Sequence, residues 1–149
     1  MTMLERFKLL NPNINRIKIK RGAEGVIGWE LYDESGALLG YGFYIKVPES
    51  SLDVPLAEEF DIYDVTGIVD LDFKVTELNI DRHPDYTGDL WAVDIVEDEF
   101  KQQYIGLSSE SIGLAPEGKI NAISESTLSS KQVTQAIKEK VETLVKFLN

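Results

Sequence analysis

Apolar and polar positions change period several times along the chain, and each change marks an element. Thr2-Met3-Leu4-Glu5 has the form of a capping box, in which a hydroxyl and a carboxylate satisfy backbone N–H groups left unpaired at a helix start. A short helix follows. Asn11-Pro12 predicts its end near Leu10, because the residue before a proline is pushed out of helical geometry. From Ile14 the period is two: Ile17 and Ile19 alternate with Arg16, Lys18 and Lys20, which predicts a strand with one basic face. Residues 26–32 and 38–47 then flank Asp33-Glu34-Ser35-Gly36-Ala37, a polar segment whose glycine supplies the positive φ of a hairpin turn. Alternation places Ile27, Trp29 and Leu31 together, and sets Leu39, Tyr41, Phe43 and Ile45 against Gly40, Gly42, Tyr44 and Lys46. The two glycines predict strong curvature or a close neighbour.

Pro48, Pro55 and the serines between them mark a connection, with a helical turn over residues 56–60. Val69, Leu71, Phe73 and Val75 next alternate with Asp70, Asp72, Lys74 and Thr76, which reads as a continuous strand. Leu78 and Ile80 fall on the other parity, so a bulge or break near Thr76 is expected. Residues 83–89 read as the loop of a second hairpin, and its return strand over 90–97 points Trp91, Val93 and Ile95 inward. Residues 104–107 and 119–123 are candidates for further short strands. The last element is the clearest. Ser129-Ser130-Lys131-Gln132 has the capping-box form, Leu128 and Val133 the spacing of a hydrophobic staple, and Val133, Ile137, Val141, Leu144 and Leu148 form one apolar stripe.

These elements imply one α+β domain spanning residues 1–149. A curved, mainly antiparallel sheet of about five to seven strands carries a short N-terminal helix and a long C-terminal amphipathic helix packed on it. A 149-residue chain with 43% hydrophobic residues is large enough for a core of its own.

Charge adds what periodicity does not show. The net charge is −11, but residues 49–99 hold sixteen acids against Lys74 and Arg82 alone, while the flanking thirds are slightly basic. Such a field repels nucleic acid and anionic membranes. The absence of cysteine excludes disulfides, thiolate nucleophiles and sulfur-based zinc sites. Without an apolar leader or a span of roughly 20 apolar residues, a cytoplasmic location is the expectation.

The candidate chemistry is sparse. His83 is the single histidine, and its place before Pro84 suits a turn residue. Asp72-Phe73-Lys74 resembles the acid-x-lysine fragment of a nuclease superfamily, with Asp53, Asp61 or Asp64 as a second metal ligand. The negative segment would repel such an enzyme's substrate. Asp81, Asp85 and Asp89 recur every fourth residue but lack the glycine of a calcium loop. Trp29, Tyr41, Phe43 and Trp91 are candidates to line an apolar ligand site, against the simpler reading that they fill the core. No phosphate-binding loop or nucleophile elbow is present, so no catalytic residue, metal site or cofactor is assigned.

The residues then favour a non-catalytic module, of inhibitor, immunity or nucleic-acid-mimic type, that presents acids to a basic protein partner. Alternation puts Asp70, Asp72 and Asp94 on one face, continued by Glu97, Asp98 and Glu99, which also suit a gatekeeping cluster at a strand end. Lys74 or the basic strand over residues 16–20 is the internal alternative, neutralising the acids if that strand lies beside them. From another class, a subunit that assembles into a homo-oligomer through its sheet edges and first helix is the second expectation.

Overall fold

The computed structural model describes residues 1–47, 63–82, 98–123 and 127–149. Helix α1 spans Met3–Leu10, with Thr2 as its N-cap: the Glu5 N–H donates to Thr2 Oγ1 at 3.1 Å. The chain then enters β1 (Arg16–Gly22), β2 (Gly25–Tyr32) and β3 (Leu38–Val47), followed by β4 (Tyr63–Val69) and β5 (Val75–Arg82). All neighbours are antiparallel and the sheet order is the chain order, β1 to β5, an open five-stranded meander. Helix α2 (Asp98–Gln102) and helix α3 (Thr127–Leu148) complete the described elements.

Local chemistry explains most of these turns. Between β2 and β3 the Asp33 carboxylate accepts from Ser35 Oγ at 2.6 Å and from the Ala37 N–H at 2.9 Å, and Gly36 takes φ 86°. The Ser35 hydroxyl, then the Ala37 N–H, hold the Asp33 carboxyl below its ordinary value. In β5 the register steps from Val69↔Val75 to Ile68↔Glu77, which leaves Thr76 as an extra residue. That bulge stands where the change of parity predicts it, and it lets Val75, Leu78 and Ile80 all be buried.

Both faces of the sheet are covered. On one, α3 buries Val133, Ile137, Val141 and Leu144 completely against Phe43, Ile45, Val65 and Ile80. Each such side chain contributes about 1.5–3 kcal/mol relative to exposure. On the other, α1 sets Phe7 among Ile14, Leu31 and Ile68, with Trp29 against it at 5.5 Å between rings. Strand β4 runs between these two cores and is buried at every position.

Phe7 sits where a Cβ on Gly42 would stand, and the Phe43 ring likewise fills the space over Gly67. Gly42 therefore marks a close neighbour, as its place in the strand predicts.

Several expectations are corrected. Residues 69–75 are not one strand: the chain reverses over 70–74, and Phe73 takes φ 59°. Ile27 does not share a face with Trp29 and Leu31. A register shift opposite Lys20 and Arg21 turns it toward the α3 core. Leu39, displaced by a second shift, packs with the α1 core and not with Phe43. Helix α3 starts at Thr127, so Ser130 lies inside it, buried, and its Oγ accepts from the Ile123 N–H at 3.1 Å. Residues 104–107 form turns, and of 119–123 only Ile120 makes an isolated bridge, with Leu114. The expected helical turn over 56–60, the loop over 83–89, the return strand over 90–97 and the side chain of Leu128 lie outside the described residues.

Candidate functional site

Asp70 is first of all a turn residue. Its Oδ1 accepts from the Asp72 N–H at 2.9 Å and the Lys74 N–H at 3.1 Å, while its own N–H donates to the Lys74 carbonyl at 2.9 Å. A short acidic side chain that bonds the backbone two residues on is the Asx-turn chemistry that ends strands. Phe73, at the strained position, is buried and stacks on Tyr41, with rings 5.1 Å apart and 4° from parallel. The turn thus points Asp72 and Lys74 into solvent and Phe73 into the core. Asp70 and Asp72 therefore do not share a strand face, and Asp94 and Glu97 lie outside the described residues.

Asp98 and Glu99 occupy the first turn of α2, and the strand expected before them lies outside the described residues. Acids suit this place because the unpaired N–H groups of a helix start attract negative charge. Asp98 is ion-paired with Lys101 at 3.2 Å yet remains 88% exposed. Lys101 also reaches Asn79 Oδ1 of β5 at 3.5 Å, so α2 lies along the β5 side of the sheet. Asn79 stands about 13 Å along the strand from Val75. Turn acids and helix acids therefore flank one edge, within the footprint of an ordinary protein interface.

The basic strand lies elsewhere. β1 is the opposite edge of the sheet, four strand spacings from β5, or about 19 Å. At physiological salt this is more than twice the screening length of about 8 Å. Arg16, Lys18 and Lys20 therefore do not neutralise Asp72, Asp98 or Glu99. Lys74 lies in the acidic turn itself but forms no ion pair with a described residue.

A second polar group lies on the α1 face. Asp64 is 6% exposed in β4, flanked in register by Lys46 of β3 and Asp81 of β5, and it accepts from the Tyr44 hydroxyl at 2.8 Å. Burial, then the bond to Asp64, raises the Tyr44 hydroxyl above its usual pKa, and Arg6, 4.9 Å over the ring, opposes this. Sequence periodicity did not single out Tyr44; in register it stands opposite Thr66, and its diagonal reach to Asp64 emerges only with the strand pairing.

Among the described residues the remaining candidates are dispersed. Asp72-Phe73-Lys74 lies in a turn, and Asp64 is at the far end of β4, about 17 Å from Val69. Asp53 and Asp61 fall outside the described residues, as do His83, Asp85 and Asp89. Asp81, one residue before the end of β5, is exposed and accepts from Asn79 Nδ2. Tyr41 and Phe43 belong to the α3 core and Trp29 to the α1 side, so these three do not line one cavity; Trp91 lies outside the described residues. Among the described residues no group of three or more acids or imidazoles is placed to hold a metal, and no helix is long and apolar enough to cross a membrane. An open cleft between α1 and the β2–β3 turn, bordered by Lys8, Asn15, Asp33 and Glu34, buries no polar side chain. No protein-family model matches the chain, and a search of curated proteins returns no match.

Proposed function

We propose that the protein is a non-catalytic binding module that engages a basic protein partner along the β5 side of its sheet. Asp72, Asp98 and Glu99 make the contact together with Glu77 and Asp81, neither of which the sequence pattern assigned to this surface. Asp70 serves the same surface by holding the turn. The observation that carries this reading is the strand order. With β1 at the far edge, the turn, β5 and α2 hold six acids against three bases, and no basic strand lies beside them among the described residues. An acidic edge with this little internal compensation accelerates encounter with a positive surface and rejects other acidic ones.

The test is a pull-down from native lysate with the wild-type chain and an Asp72→Lys, Asp98→Lys, Glu99→Lys variant, each eluted by stepwise salt. The wild type is expected to retain a basic protein that salt releases and that the variant does not hold. Retention of the same proteins by both chains would sink the proposal. Asp70 is left intact so that a lost interaction is not a lost turn.

A further inference from the structure

The far side of the sheet has its own unused recognition surface. Among the described strands β1 pairs only with β2, so no described strand meets the backbone N–H and C=O groups of its outer side, where a further strand can pair. Its two faces differ. Arg16, Lys18 and Lys20 lie opposite Tyr32, Glu30 and Gly28, whereas Ile17 and Ile19 lie opposite Leu31 and Trp29. Arg16 rests over the Tyr32 ring at 4.4 Å, while Lys18 and Lys20 form no ion pair with a described residue. Ile19 is 39% exposed.

Charge decides between occupants. β1 holds four cations and no acid in seven residues, so a second copy pairing β1 against β1 would set like charges opposite each other. The β5 edge is open to it only in part. The Val75 N–H donates to the Leu107 carbonyl at 3.0 Å and the Gly106 N–H to the Val75 carbonyl at 2.7 Å, which occupies one end of that edge. Lysines on an edge strand protect against self-pairing. The same lysines favour a strand of the opposite sign.

We propose that the β1 edge takes an extended acidic peptide of another protein as a sixth strand. Because side chains alternate across a sheet, the peptide recognised would itself alternate. Its acids would face Arg16, Lys18 and Lys20, and its apolar residues would extend the Ile17 and Ile19 side. This surface is distinct from the acidic edge, and its failure would leave that reading untouched.

A labelled synthetic peptide of alternating valine and glutamate, titrated against the full chain by fluorescence anisotropy at low salt, tests the proposal. Binding is expected, and the Lys18→Glu, Lys20→Glu variant should weaken it about tenfold. The valine-lysine counterpart should not bind. A valine-glutamate peptide N-methylated at alternate backbone positions should lose binding, because it cannot complete the ladder. Lys18→Gln, Lys20→Gln serves in the same role if the reversed variant does not fold. No binding of the acidic peptide, equal binding by the charge-altered chain, or equal binding of the N-methylated peptide would each overturn the proposal. Sedimentation showing a dimer of the wild-type chain that the lysine variants abolish would make a second copy the occupant and overturn it too.

Discussion

Replacing Asp70 with alanine removes the acceptor for two backbone N–H groups and leaves the chain reversal at residues 70–74 to its backbone bonds alone. Water re-solvates the freed donors of this exposed turn, so the net loss is about 1–2 kcal/mol for the pair. The turn also holds Phe73 at φ 59°, a conformation that costs a bulky residue about 1–3 kcal/mol. Burial of Phe73 and its stack on Tyr41, the stack contributing about 0.5–1.5 kcal/mol, offset that cost in the native state. For a chain of 149 residues a deficit of about 1–2 kcal/mol lowers Tm by about 2–8 °C. Asp70→Asn keeps an acceptor oxygen while removing the charge, and its loss should stay below about 1 kcal/mol. Urea unfolding followed by tryptophan fluorescence reads both variants. An alanine variant within about 0.5 kcal/mol of wild type, the usual range for an inert surface site, would refute the assignment of Asp70 to the turn. So would an asparagine variant as damaged as alanine.

Two further outcomes follow from the cores. Gly67→Ala places a Cβ against the Phe43 ring, and the overpacking should cost about 1–3 kcal/mol in the same urea assay; an unchanged midpoint would show that the ring has room to move. Tyr104 is fully buried, and burial raises its hydroxyl well above the unfolded value of 10.0, with the bond to Thr134 opposing. The folded state therefore holds this proton more tightly than the unfolded state. The resulting stability is complete below pH 10.0 and is lost progressively above it. Midpoints measured from pH 8 to pH 12 should fall less steeply in Tyr104→Phe than in wild type, and parallel curves would contradict the buried hydroxyl.

Much of the fold was legible because it rests on local chemistry. Thr2 caps α1, Asp33 and Gly36 close the β2–β3 hairpin, and the misplaced parity of Leu78 and Ile80 marks the bulge at Thr76. In α3 the stripe at helical spacing supplies the four apolar side chains that are fully buried among the described ones. The reversal at Asp70 escaped notice for an equally local reason: Val69, Leu71, Phe73 and Val75 alternate without interruption. In the fold Leu71 is 53% exposed, and the two arms pair with each other.

By itself, then, the sequence determined that strands and helices form, which turns join several of them, and that negative charge gathers in the middle third. Period and turn chemistry are properties of neighbours along the chain, and they carry these facts. Tertiary structure alone decided which edge each charge occupies, because strand order is fixed by pairing and packing between distant residues. It placed the cations of β1 across the sheet from the acids of the β4–β5 turn and α2, it spent the Asp70 carboxylate on backbone N–H groups, and it set Tyr44 against the buried Asp64.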